Sequence, residues 1–137
     1  YEEAERHYNK AARLYLKKGL GEESLQRYDE MRRFRAEANF DAENLFRLAC
    51  YLEGVGQYER AVELLVRLYS EYPQSPESEM AMLKAGQLYL NRLNRPGPAA
   101  AVLSKFLDNY PESEWRRFAG EVLARARESV ESQMQGW

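Results

Sequence analysis

The stretch "YERAVELLVRLYSEYPQSPES" (58–78) decides the fold, because "GPAAAVLSKFLDNYPESEW" (97–115) repeats its pattern 38 positions later. In the first, Ala61 is followed by Leu65, Leu68 and Pro73; in the second, Ala99 is followed by Leu103, Phe106 and Pro111. A small residue with large apolar residues four and seven places on draws one stripe along a helix. The proline then closes it, since it has no N–H to donate and its ring clashes with the preceding turn.

The same spacing stands upstream as Ser24, Tyr28 and Met31, with Ala36 in the proline's place. A second pattern precedes each of these. Tyr8, Leu45, Met82 and Ala119 lie 37 apart, followed three and four residues on by Ala11/Ala12, Leu48/Ala49, Ala85/Gly86 and Val122/Leu123. Seven places on come Tyr15, Leu52, Tyr89 and Ala126. Breaks fall between the patterns at Gly19 and Gly21, at Gly54 and Gly56, at Pro73 and Pro76, at Pro96, Gly97 and Pro98, and at Pro111. Each unit therefore reads as two helices with a turn, then a break. A rival register places Tyr1, Ala4, Tyr8 and Ala11 on a second helix of a pair, but only the 37-residue register explains every later turn. Strands are disfavoured: the chain has no isoleucine and no alternating apolar run bounded by hairpin turns.

These residues resemble the tetratricopeptide repeat, whose first helix carries W-x2-L-G-x2-Y and whose second carries A-x3-F-x2-A and a closing Pro. The resemblance implies an all-α superhelix of three helical hairpins, at about 5–38, 42–75 and 79–112, closed by a capping helix at about 113–134. All 137 residues are expected to form a single domain. The first motif position is never Trp here, and each repeat exceeds the usual length of about 34 by three or four residues. The surplus is expected at the junctions, where Ser75 and Ser113 are candidate helix caps. The Tyr-Pro-x-Ser junction is similar to repeats of bacterial cell-envelope proteins. In the end helix, Trp115, Phe118, Ala119, Val122, Ala126 and Val130 are expected to form the apolar face of the cap.

Composition narrows the function. A net charge of −2 gives no general reason to expect nucleic acid or an anionic membrane as partner. One cysteine, Cys50, excludes an internal disulfide. No apolar run reaches the roughly 18–20 residues that cross a bilayer. The chain opens at Tyr1 without Met, directly in helix-like sequence, which points to a piece of a longer protein. Cytoplasm and periplasm both stay open.

The lone His7 has no Cys, His or acidic neighbour at ligand spacing, and it lacks the oriented partner that a catalytic base needs. The "MRRFR" cluster (31–35) is flanked by Asp29, Glu30 and Glu37 and reads as a solvated helix face. No catalytic residue, metal or cofactor is expected.

The resemblance instead implies a scaffold that holds a peptide or helix of a partner protein in a concave groove lined by the first helix of each hairpin. Carried onto this sequence, the groove comprises Arg6, Asn9, Lys10, Arg13, Lys17, Phe46, Arg47, Cys50, Met80, Leu83, Lys84, Gln87 and Leu90. The family's carboxylate clamp is not expected, because Phe46, Cys50, Met80 and Leu83 stand where further polar residues are wanted. The alternative is self-assembly of a larger, membrane-associated protein.

Overall fold

Seven helices follow from this punctuation. The computed structural model describes residues 2–136. In chain order the helices are α1 (Glu2–Lys17), α2 (Gly21–Phe34), α3 (Ala42–Gly54), α4 (Tyr58–Glu71), α5 (Glu77–Asn91), α6 (Pro96–Asn109) and α7 (Arg116–Gln135). They pack in consecutive antiparallel pairs, with no strand among the described residues. None is long and apolar enough to cross a membrane. The chain divides into two compact units between Leu64 and Leu65.

The turn inside each hairpin is set by one left-handed residue. Gly19 has φ 75°, Gly56 has φ 82° and Asn94 has φ 52°. Glycine meets no Cβ penalty there, and asparagine is the side-chain-bearing residue that tolerates it best. Orphan carbonyls at the first two helix ends are then met by matching bonds from the residue after the glycine: Leu20 N–H to Tyr15 O and Gln57 N–H to Leu52 O, both at 2.8 Å. The third turn is one residue longer, and Arg95 N–H reaches back to Tyr89 O at 2.8 Å to close it. This accounts for the second-helix pattern recurring after 37 residues from Ser24 to Ala61 but after 38 from Ala61 to Ala99.

The junctions after α4 and α6 are also copies of one another. Ser75 N–H donates to Tyr72 O and Ser113 N–H to Tyr110 O, at 3.0 and 3.1 Å. Ser78 N–H donates to Ser75 O and Arg116 N–H to Ser113 O, both at 3.1 Å. The side chains diverge. Ser113 Oγ accepts from Trp115 N–H at 3.0 Å and donates to Glu79 at 2.6 Å. The Ser75 hydroxyl, expected as a cap, makes no hydrogen bond among the described residues.

In the first unit, Ala12, Ser24, Tyr28, Met31, Leu45, Leu48, Ala49 and Leu52 of the 37-residue pattern are buried, while Tyr8, Ala11 and Tyr15 on α1 are half-buried. Ala36, in the proline's place, is exposed, and Phe40 further along the α2–α3 loop is buried instead. Its ring meets Tyr28 edge-on at 5.0 Å.

In the second unit, Met82, Leu83, Val102, Leu103, Phe106, Ala119, Val122 and Leu123 form one core cluster. Gly86 sits at the tightest crossing of α5 on α6: a Cβ there would lie 2.6 Å from Leu103 Cγ. Tyr69 packs on the cluster's edge. Burial, with a smaller contribution from Tyr89, pushes its hydroxyl up to about 12. On α7 the buried stripe is Ala119, Val122, Leu123 and Ala126. Trp115 and Phe118, expected on that face, remain 40% and 36% exposed. They lie ahead of the first buried residue of the helix and pack edge-to-face on each other, with centroids 6.4 Å apart.

Two measurements check this packing. Gly86→Ala forces Leu103 aside and is expected to cost about 1–3 kcal/mol. Gly120→Ala, inside α7 with open space at its Cβ position, is expected to gain about 0.5–1 kcal/mol. Denaturant midpoints should move in opposite directions. Tyr69 keeps its proton in the folded state at pH values where the unfolded chain loses it. Its contribution is therefore complete below about pH 10 and drains away as pH climbs through about 12. Tyr69→Phe should flatten the fall of the midpoint across that alkaline window.

Candidate functional site

Charge on α1 is arranged by its period. Arg6, Lys10, Arg13 and Lys17 recur at four, seven and eleven places and so share one helical face. All four are exposed. Acidic residues fill the helix's first turn, where its dipole favours them, and Lys17 stands in the last. Along this face lies an open pocket of about 340 Å³ lined by Glu5, Arg6, Asn9, Lys10, Arg13 and Asp41.

The floor of that pocket is a polar knot. Asn9 Oδ1 accepts from Asp41 N–H at 2.7 Å and from Asn44 Nδ2 at 3.2 Å. Asn44 Nδ2 also donates to Asn9 O at 2.9 Å, and Asn9 Nδ2 donates to Asn39 O at 3.3 Å. Asp41 caps α3 by accepting from Asn44 N–H at 2.9 Å, and its other oxygen meets Arg13 at 3.3 Å. Asn9 was placed in the groove by sequence. Its amide in fact ties α1 to the start of α3, since both of its hydrogen-bonding atoms are engaged within the unit. Nothing in the sequence separates these two roles for an Asn on the first helix.

A second open pocket, of about 310 Å³, follows near the C-terminal end of α1. Leu16, Gly19, Gly21, Phe46, Arg47, Cys50 and Tyr51 line it. Phe46, Arg47 and Cys50 were expected at the groove and are brought together here by α3. Arg47 also pairs with Glu43 one turn earlier, at 3.3 Å. Leu16, Gly21 and Tyr51 were missed. The Tyr51 ring lies where a Cβ on Gly21 would be, so this glycine serves a close approach as well as a turn. The Tyr51 hydroxyl donates to Glu22 at 3.5 Å. Desolvation, then the charge of Glu22, raises it above the ordinary tyrosine range.

In the second unit the expected groove residues separate. Leu83 is buried in the core cluster, and Met80 and Leu90 pack against it. The reason is that α5 packs on both α6 and α7, so more than one stripe of it is covered. Lys84 and Gln87 stay half-buried on α5.

The "MRRFR" cluster is more ordered than a solvated face. Arg32 donates to Ala38 O at 2.9 Å and lies over the Tyr28 ring at 5.9 Å. Nearby, Arg60 grips Asp29 through two bonds of 2.7 and 3.1 Å. His7 is exposed on α1. No group of three or more metal-ligating side chains occurs among the described residues.

Successive hairpins with matched turns and matched junctions define a helical repeat protein. The tetratricopeptide-repeat family model matches residues 43–75 and 80–113, which are α3–α4 and α5–α6 with their junctions. Residues 43–113 thus carry tetratricopeptide repeats. No curated protein matches it. A solved structure described as "MamA RS-1 ArsTM double mutant" aligns with a TM-score of 0.46 and 18% sequence identity, covering 95% of this chain and 96% of that chain.

The polar knot and the exposed ion pair beside it should behave differently. Asn9→Ala leaves the Asp41 N–H unmet, while the Asn44 amide keeps its bond to the residue-9 carbonyl, and is expected to cost about 1–3 kcal/mol. Arg13→Ala loses only an exposed pair and should cost no more than about 1 kcal/mol. Urea unfolding of the two variants compares them directly.

Proposed function

We propose that the chain is a non-catalytic scaffold that holds a peptide segment of a partner protein, and that α1 and α3 of the first unit receive it. Tetratricopeptide repeats suggest a protein-interaction module. The finer reading rests on one observation: the cationic face of α1 runs straight into an apolar pocket. Arg6, Lys10, Arg13 and Lys17 offer charge, while Leu16, Phe46 and Cys50 offer apolar contact. Charge of this kind steers encounter and register, and a desolvated apolar anchor supplies holding energy. Arg13 is already paired with Asp41, but an exposed pair is worth about 0–1 kcal/mol and exchanges readily for a ligand carboxylate.

Self-assembly is a second reading. It draws on the exposed Trp115–Phe118 pair at the start of α7. Sedimentation over a range of concentration distinguishes it.

The binding reading is tested by selecting ligands for the full chain from a random peptide library. Selected peptides should be rich in acidic and apolar residues. A Lys10→Glu/Arg13→Glu/Lys17→Glu variant should bind them at least about tenfold more weakly. Its melting temperature should stay within a few degrees, since only exposed charges change. A library that yields no ligand, or ligands held equally well by the variant, would remove this reading.

A further inference from the structure

The two pockets of the first unit share one helix, and that fixes the spacing of what fills them. Leu16 lines the apolar pocket, while Lys10 and Arg6 line the cationic one. At the α-helical rise of about 1.5 Å per residue, Lys10 lies about 9 Å and Arg6 about 15 Å along the axis from Leu16. No ion pair among the described residues engages Arg6, Lys10 or Lys17.

An extended chain advances about 3.3 Å per residue and turns alternate side chains to opposite faces, so carboxylates on the anchor's face that reach toward Lys10 and Arg6 stand two and four residues from the side chain in the apolar pocket, about 7 and 13 Å away. The geometry points to an extended acidic peptide as the ligand: one large aliphatic or aromatic anchor, with acidic residues two and four positions away on one side of it. The inference rests on the reading that α1 and α3 receive a peptide.

The alternatives fit less well. A basic or neutral segment leaves the α1 cations uncompensated. A helical ligand would need its acids about six and ten positions from the anchor to cover the same distance. An acid next to the anchor points away from the anchor's face and falls short of both Lys10 and Arg6.

The test is a titration of the isotope-labelled full chain, followed by amide chemical shifts. The probes are short glycine–serine peptides bearing one leucine and two aspartates, made with the aspartates on either side of the leucine. In one of the two directions, the peptide spaced at two and four should bind on the order of tenfold more tightly than an isomer with both aspartates adjacent to the leucine. Shift changes should cluster at the amides of Lys10, Leu16, Phe46 and Cys50. Arg6→Glu/Lys10→Glu should erase the preference, and so should replacing the leucine by glycine. Equal affinity of the spaced and adjacent isomers overturns the spacing while leaving peptide binding in place. Tighter binding of an alanine-based helical peptide with aspartates six and ten positions from its leucine overturns the extended form. Absence of any shift change with every probe overturns both this inference and the reading beneath it.

Discussion

Close approach of paired helices is the constraint on which everything else depends. Two helices bearing large apolar stripes meet only where one contributes almost no side chain. Ala12, Ala49 and Gly86 are buried on the first helix of each hairpin, and Ser24, Ala61 and Ala99 on the second. At Gly86 the clearance is so small that even a methyl group would strike Leu103. Once that approach is made, Tyr28, Met31, Leu103 and Phe106 are drawn out of water, and burial of this kind is the main favourable term in folding. The left-handed residues at Gly19, Gly56 and Asn94 serve the same end, since each folds the chain back within a few residues.

The first unit meets its junction differently from the others. It lacks the closing proline, so rigidity has to come from elsewhere. Phe40 wedges against Tyr28, Arg32 holds the Ala38 carbonyl, and the Asn9–Asp41–Asn44 knot fastens the start of α3 to α1. The low dielectric of an interior strengthens the bonds made by Arg32, by Asn9 and by the Asn44 amide nitrogen. The exposed cations of α1 then sit on a firm backbone, a condition for selective recognition without a large ordering cost.

Sequence spacing revealed the helices because the apolar stripes and breaks are local signals. Every position of the 37-residue pattern on α3 is buried, and the paired small residues fall where helices cross. Asn94 escaped notice because asparagine enters many environments, whereas glycine at the same turn advertises itself. The candidate site was only partly legible. Phe46, Arg47 and Cys50 converge as their helical spacing implies. Leu83 did not face outward because α7, distant in sequence, covers it. Asn9 and Arg32 turned inward for a similar reason: their partners lie in the α2–α3 loop, and no periodicity encodes a loop's path. Leu16 and Tyr51 joined the pocket through the Gly21 approach, which depends on tertiary placement alone.

The longer third turn carries a consequence for how such arrays diversify. Its additional residue is taken up between Leu88 and Pro96, and the stripes of α5 and α6 keep their facing positions. Hairpin corners thus act as expansion joints: chain length can drift there by single residues while the masonry on either side stays aligned.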